Sequence, residues 1–145
     1  MKIILVFSLL CCISCSSVQT GQGIQGHVFW VGGNQLPGPG KDSSSDRKPI
    51  AREIYIYKAL TLDRAGDKQG DFYSTINGEL IKTIKSQPDG SFETNLPVGQ
   101  YSLFTKEDGG LFANRMDGQG CINCFDVKSR EFTTVDITVD YDAAY

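Results

Sequence analysis

The chain has 145 residues, with 14 Lys and Arg side chains against 17 Asp and Glu, and a formal net charge of −3 at pH 7. This length is enough for one globular domain. The mild negative balance argues against a nucleic-acid partner, because phosphate recognition demands clustered Lys and Arg. It also argues against electrostatic docking on anionic lipid.

The first residues, MKIILVFSLLCCISCSS, predict a secretion signal. Lys2 supplies a positive start, and the apolar run Ile3–Leu10 is too short to span a bilayer as a helix. The residues before Cys15 resemble the cleavage box of bacterial lipoproteins, although Cys12 stands where leucine is usual. This resemblance implies removal of residues 1–14 and a diacylglycerol anchor on Cys15. An ordinary secretory peptide cut a few residues later is the alternative.

Residues 15–23 are interpreted as the lipidated cysteine and a short polar tether. Ser16 and Ser17 follow Cys15 without an acidic run. By resemblance to lipoprotein sorting rules, this favours the outer membrane, facing the periplasm, with the lipid anchor as the contact to the membrane. The hexapeptide GQGIQG matches G-x-G-x-x-G, but a tether precedes it and a strand pattern follows, so a dinucleotide site is rejected.

Residues 24–145 are predicted to form one all-β domain. β-branched and aromatic runs alternate with glycine and proline turns, and no stretch has convincing helical periodicity. In TTVDITVDY every second residue from Val135 is apolar, and Asp136, Thr138 and Asp140 face water. About seven strands at this spacing predict a seven-stranded antiparallel β-sandwich. The clearest runs are Gln25–Val31, Arg52–Leu62, Glu79–Ser86, Ser91–Leu96, Gln100–Lys106 and Thr133–Tyr141.

Two turn signals punctuate the stretch PDGSFETNLPVGQY. Asp89-Gly90 is typical of a tight hairpin, because glycine supplies the positive φ that the turn needs. Pro97 and Gly99 turn the chain again. We therefore expect these two turns to set the register of the neighbouring strands.

Three polar excursions interrupt the strands, at residues 32–49, 63–78 and 107–124. The third differs from a solvated linker because it mixes apolar and polar side chains. We expect the loop 108–117 to be a contact surface, and its candidate binding residues are Leu111, Phe112, Asn114 and Arg115. Exposed aromatics are a further expectation, because Trp30, Tyr55, Tyr57 and Phe112 cannot all be core if the alternation holds; such side chains dominate interface hot spots.

The quoted stretches resemble a carboxypeptidase regulatory-like domain. The family pattern is a G-x-V strand, a glycine-proline turn, then D-G-x-F, L-P-x-G and an aromatic strand. The matching residues are Gly26, Val28, Pro37, Asp89, Gly90, Phe92, Leu96, Pro97, Gly99 and Tyr101. The resemblance implies the prealbumin-like (transthyretin-like) fold of seven antiparallel strands and a non-catalytic accessory role. Within that family the chain looks like small stand-alone lipoproteins of Bacteroidota-type bacteria, from which its long loops depart.

The sequence opposes catalysis and predicts neither a metal nor a cofactor. A zinc peptidase site or a Ser-His-Asp triad needs histidines at a cleft, and this chain has one, His27, inside an aromatic strand. Hydroxyisourate hydrolases of the transthyretin-like type need several histidines and a Tyr-Arg-Gly-Ser end, whereas this chain ends in YDAAY. The spacing of Asp63, Asp67 and Asp71 does not match a calcium loop, so a solvated charged loop is expected.

Cys121 and Cys124 are the two cysteines left after Cys11, Cys12 and Cys15 are assigned to the signal and the anchor. In an exported protein they predict a structural disulfide, and residues 121–124 must then bend to bring the Cα atoms within about 7 Å. A redox pair and a metal site are alternatives. The sequence therefore predicts a non-catalytic, lipid-anchored envelope module whose partner is an envelope protein or a glycan. An accessory thiol–disulfide protein and a carrier of a small ligand between the sheets are the rival hypotheses.

Overall fold

The computed structural model describes residues 21–36 and 47–145. The predicted signal peptide, Cys15, most of the tether and Pro37 lie outside the described residues. Within the two described ranges the chain holds no helix that is long and apolar enough to cross a membrane. The first strand begins at Gly23, the last residue of the predicted tether.

Twelve strands build two sheets in the described part of the chain, and the expected all-β sandwich is confirmed. They are β1 (Gly23–Asn34), β2 (Lys48–Pro49), β3 (Glu53–Lys58), β4 (Lys68–Gln69), β5 (Phe72–Tyr73), β6 (Leu80–Lys85), β7 (Ser91–Asn95), β8 (Gly99–Glu107), β9 (Gly110–Phe112), β10 (Cys124–Val127), β11 (Phe132–Thr134) and β12 (Ile137–Ala144). The expected count of seven is wrong. β2, β4, β5, β9 and β11 have two or three residues each, too few to display a period of two.

β1 is the centre of the first sheet. Its first half pairs with β7 and β11, and its second half pairs with β2 and β12. β7 and β2 run antiparallel to it, whereas β11 and β12 run parallel, so the expectation of a purely antiparallel sandwich is corrected. Alternation along one strand indicates which face is buried, but it carries no information about the direction of the neighbouring strand.

The second sheet has the order β4-β5-β9-β8-β3-β6, with β10 also paired to β8. An inner cluster of apolar side chains fills the space between the two sheets. Its buried members are Ile24, Val28, Ile54, Ile56, Phe92, Leu96, Tyr101, Leu103, Phe112, Phe125, Val127, Ile137 and Val139. Burial of each such side chain contributes roughly 1.5–3 kcal/mol, so this cluster is the main source of stability.

A second layer covers the opposite face of the second sheet. This outer cluster contains Tyr57, Leu60, Ala65, Tyr73, Phe104, Ala113 and Ile122. Because both faces of β8 are covered, Tyr101–Thr105 is buried without a break. The covering residues come from the second and third excursions, which were expected to be loops. These excursions instead supply strands β4, β5 and β9 of the second sheet. Their apolar side chains cover the outer face of that sheet.

Both predicted turns are present, but they join the two sheets. Gly90 has a φ of +79°, and the Asp89 carboxylate accepts bonds from the Ser91 nitrogen at 3.0 Å and hydroxyl at 2.6 Å. These hydrogen bonds lower the pKa of Asp89. The turn links β6 of the second sheet to β7 of the first, and the Pro97 turn links β7 back to β8. The expectation of a hairpin that sets register is therefore wrong, because neither turn joins paired strands.

Buried tyrosines make the fold sensitive to alkali. Burial raises the pKa of Tyr73 above its usual value of 10.0, and burial likewise raises the pKa of Tyr57 and Tyr101. Above pH 10 the unfolded chain therefore binds fewer protons than the native state, and stability falls as pH rises. We expect a constant urea midpoint from pH 7 to about 9 and a falling midpoint above about pH 10. Tyr73→Phe should flatten that fall, and an unchanged slope would contradict the assignment.

Candidate binding cleft

The third excursion crosses from the second sheet to the edge of the first. It begins with β9, which pairs with β8 and β5. After Ala113, the Asn114 side-chain nitrogen donates to the Thr138 carbonyl at 3.2 Å and to the Asp140 carboxylate at 2.6 Å. Thr138 and Asp140 lie on β12, so Asn114 ties the excursion to the first sheet.

A compact turn returns the chain toward β10. The Asp117 carboxylate accepts hydrogen bonds from the backbone nitrogens of Gln119 at 2.9 Å and Cys121 at 2.8 Å. The Asp117 nitrogen donates to the Cys121 carbonyl at 3.0 Å. This closed pattern brings Cys121 to Cys124 back beside residues 114–116, which define one wall of a cleft.

Asn123 holds the two runs of that wall together. Its backbone nitrogen donates to the Arg115 carbonyl at 2.8 Å, and its side-chain nitrogen donates to the Leu103 carbonyl at 3.2 Å. Its φ of 42° lies in the left-handed region, which asparagine tolerates better than most residues. Its buried side-chain oxygen has no hydrogen-bond partner among the described residues.

The cleft lies at the edge where the two sheets meet, and its volume is about 320 Å³. Residues 114–117 and 123–125 line one side, and residues 133–138 line the other, with Leu103 as an apolar wall. A volume of this size is at the lower end of the range for small-ligand sites. The cleft therefore suits one compact group rather than a long chain.

The cleft has both signs of charge. Arg115 is exposed, and its guanidinium makes no ion pair with any residue of the described ranges. On the facing side, one oxygen of the Asp136 carboxylate accepts a hydrogen bond from the backbone nitrogen of His27 at 3.1 Å. A carboxylate has about four acceptor positions, so Asp136 retains capacity for a ligand. Donors and acceptors thus face each other across one opening.

The Cys121 and Cys124 sulfur atoms lie within bonding distance, and their Cα atoms are 5.7 Å apart. The expected bend of residues 121–124 is therefore present. Cys121 is 6% exposed, while Cys124 lines the cleft and its sulfur lies 3.3 Å from the Ser102 hydroxyl. A thiolate is stabilised at a helix N-terminus, whereas Cys121 follows a turn and pairs with Thr61 in a β-bridge. The described residues contain no group of three His, Cys, Asp or Glu placed to hold a metal ion.

The structure brings together only part of the predicted binding set. Asn114 and Arg115 line the cleft. Leu111 is half-buried against the outer cluster. Phe112 is 2% exposed inside the inner cluster, so its assignment as a surface contact residue is corrected. β9 lies between β5 and β8, and Phe112 is on the face that packs against the first sheet, where its ring contacts that of Tyr141.

The expectation of exposed aromatics is corrected in the same way. Tyr57 is 8% exposed, and Trp30 and Tyr55 are half-buried against the two clusters. Residues of the second and third excursions cover the outer face of the second sheet, where Tyr55 and Tyr57 lie, and Trp30 packs against the inner cluster. His27 lies in β1 as expected, with its ring stacked 5.8 Å from that of Phe29.

Sequence reasoning missed the far wall of the cleft. Asp136 and Thr138 were expected on the wet face of the last strand, and that pattern was the available signal for them. Nothing local indicated that they share a cleft with Arg115, because residues 115 and 136 line one opening only when the third excursion crosses the sheet edge. Asn123 carried no signal beyond its place inside Cys-Ile-Asn-Cys.

The fold and the cleft define an all-β two-sheet domain with a polar cleft at one edge. No protein-family model matches the chain, and no curated protein is similar to it. Among solved structures, a crystal structure of (S)-allantoin synthase is similar at 13% identity, with a TM-score of 0.37. The match covers 83% of this chain and 42% of that one, so the chain spans less than half the length of that structure. A similarity this low assigns neither a family nor an activity.

Proposed function

We propose that the protein is a non-catalytic binding module of the cell envelope, held to the membrane by lipid on Cys15. The lipoprotein-like signal before Cys15 supports export and anchoring, and Ser16-Ser17 supports the outer membrane facing the periplasm. The carboxypeptidase regulatory-like pattern, from Gly26 to Tyr101, supports an accessory role within a prealbumin-like fold. The lone His27 supports a role without catalysis.

The observation that carries the proposal is the edge cleft. Its lining residues include Arg115 and Asp136, which carry opposite charges, and the hydroxyl-bearing Thr134 and Thr138, whereas the Thr133 hydroxyl donates to the Asp126 carbonyl at 2.6 Å. A neutral ligand rich in hydroxyl groups satisfies donors and acceptors together, since each hydroxyl donates once and accepts twice. A sugar unit of an envelope glycan has this chemistry and fits a volume of about 320 Å³. Because the cleft lies where the two sheets meet, a small ligand and a sugar unit of a glycan would occupy the same site.

Cys121 and Cys124 serve as a structural disulfide in this proposal. Their sulfur atoms lie within bonding distance, and Asp117 and Asn123 tie the same segment to its neighbours. Oxidised, the pair would hold the wall that carries Arg115 in place before a ligand arrives. Binding to a preorganised site loses less free energy to ordering. The redox hypothesis has less support, because Cys121 is buried and its sulfur is not placed at a helix start.

The test is a binding measurement with neutral disaccharides to tetrasaccharides, read by the change in melting temperature and by calorimetry. We expect a stabilising ligand, because binding to the native state raises the melting temperature. Arg115→Ala should weaken binding about 10- to 100-fold, the effect of losing a hydrogen bond to a charged group. Arg64→Ala is the matched control, since Arg64 is an exposed arginine outside the cleft and should bind like the wild type.

Three results would change the proposal. Equal affinities for wild type and Arg115→Ala would move the site away from the cleft. Binding of no saccharide would overturn the glycan class. Crosslinking of the lipidated protein in intact cells to one envelope protein, lost in Arg115→Ala, would then make the cleft a protein-binding site.

A further inference from the structure

Three segments converge at the end of the sandwich where the chain leaves for Cys15. The Leu96 nitrogen donates to the Gln22 carbonyl at 3.2 Å, and the Gln22 side-chain nitrogen donates to the Leu96 carbonyl at 3.3 Å. The Arg130 nitrogen donates to the Gln22 side-chain oxygen at 3.3 Å, and the Gly23 nitrogen donates to the Glu131 carbonyl at 3.2 Å. Gln22 is thus fixed between the turn before β8 and the turn before β11.

The exposed residues here combine an apolar tip with positive charge. Val98 is 59% exposed at the tip of its turn. Gly99 pairs with Val127, so Val98 lies beside Lys128. The Lys128 side chain is 73% exposed, and Arg130 is exposed in the same turn. Lys128 forms an exposed pair with Glu131 at 3.8 Å, which leaves a net positive charge on the turn 128–131. We call Gln22, Val98, Lys128 and Arg130 the tether end.

The length of the tether restricts how the domain can face a membrane. Cys15 and Gln22 are seven residue steps apart, which span at most about 25 Å. β1 has 12 residues and so extends roughly 36–40 Å from the tether end toward the opposite end of the domain. Because the tether is shorter than the domain, the opposite end cannot be the one that rests on the bilayer.

We infer that the tether end rests on the headgroup layer of the bilayer that holds the Cys15 lipid. Val98 enters the boundary between lipid headgroups and acyl chains, and Lys128 and Arg130 face the lipid phosphates. This inference rests on the proposed anchor. An exposed apolar residue flanked by Lys and Arg is the arrangement by which a surface binds at the boundary of headgroups and acyl chains. The net negative charge of the chain argues against electrostatic docking of the chain as a whole, but the lipid on Cys15 supplies the attachment, and a local basic pair acts within a Debye length of about 8 Å.

The experiment places single tryptophans in the full-length lipidated protein and reconstitutes it in vesicles of phosphatidylethanolamine and phosphatidylglycerol. Trp30→Phe removes the native reporter, and Val98→Trp, Met116→Trp and Pro88→Trp report on the tether end, the cleft side and a distant turn. Lipids brominated at the upper acyl chain quench nearby indoles. We expect about twofold quenching at position 98 and little at positions 88 and 116. If Trp30→Phe prevents folding, the same variants are measured with Trp30 retained and its signal subtracted.

A charge reversal distinguishes electrostatic attraction by Lys128 and Arg130 from contact that the short tether alone would impose. Lys128→Glu with Arg130→Glu should reduce the quenching at position 98 to the level of position 88, because both groups would then repel the phosphates. Lys85→Glu with Lys106→Glu is the charge-matched control, since both lysines are exposed and lie near the opposite end. The control should leave the quenching unchanged.

Flotation with vesicles distinguishes failure of this inference from failure of the anchor. Flotation that is lost in Cys15→Ser supports the anchor, and an unquenched position 98 in the floating protein then overturns the tether-end contact alone. Quenching at position 116 instead of 98 would overturn it as well, in favour of a sideways orientation. Wild-type protein that does not float would overturn both the anchor and the contact that depends on it.

Discussion

Phe112→Ala is expected to lower the free energy of unfolding by about 3–5 kcal/mol, the usual effect of removing a buried aromatic ring. Phe112 is 2% exposed. Its ring centroid lies 5.4 Å from that of Phe72 and 5.5 Å from that of Tyr141, so the truncation leaves a cavity between rings of both sheets. Urea unfolding, followed by circular dichroism, measures the change at constant m-value.

Val98→Ala is the control for Phe112→Ala, because Val98 is 59% exposed and should change stability by no more than about 0.5 kcal/mol. Measuring both stability and ligand binding of Phe112→Ala shows whether Phe112 acts as a core residue or as a ligand-contact residue. A Phe112→Ala protein of wild-type stability that fails to bind its ligand would restore Phe112 as a contact residue. A destabilised protein that still binds the saccharide would place recognition at Arg115 and its neighbours.

Arg52→Ala is expected to lower the free energy of unfolding by about 3 kcal/mol, because it leaves a buried carboxylate without its cation. Glu107 is 6% exposed, and the Arg52 Nε lies 2.9 Å and 3.1 Å from its two oxygens. The Tyr141 hydroxyl donates to the same carboxylate at 3.3 Å. This pair joins the residue before β3 to the end of β8, and the Tyr141 hydroxyl connects it to β12 of the first sheet.

Two comparisons test this account of Arg52. Lys128→Ala breaks the exposed pair with Glu131, whose atoms are 3.8 Å apart, and should change stability by less than about 1 kcal/mol. Arg52→Met combined with Glu107→Leu removes both charges and should recover much of the stability, because no buried charge is then left unpaired. Equal losses in the single and double variants would show that packing of the arginine stem, rather than the unpaired carboxylate, dominates.

The cleft and the tether end consist of different residues, so the two proposals can hold for one molecule. Residues 114–117 and 133–138 open at the side of the sandwich, while Gln22 and Val98 lie at one end. The two surfaces share no residue, although Thr133 of the cleft lies only two residues after the turn 128–131. Recognition of a glycan at Arg115 and contact with lipid at Lys128 are therefore compatible in one molecule.

The sequence by itself determined the all-β class and the positions of the long strands. Alternation within β7 and β12 and the β-branched and aromatic residues of β1 and β3 act over neighbouring residues, so they are visible in a single chain. The turn at Asp89-Gly90 is visible for the same reason, since the positive φ of Gly90 is a local requirement. The bend between Cys121 and Cys124 also follows from a distance between near neighbours.

Only the tertiary structure decided which strands pair and which surfaces remain open. The parallel pairing of β1 with β12 joins residues more than 100 positions apart, such as Val28 and Ile137, and no local pattern specifies that choice. The same holds for Phe112, which enters the core because β9 lies between β5 and β8 in the second sheet and places this side chain on the inner face. Arg115 and Asp136 share a cleft because Asn114 bonds to β12 across the sheet edge. Local preferences specify strands and turns, whereas burial and partner choice depend on contacts that form only when distant segments pack.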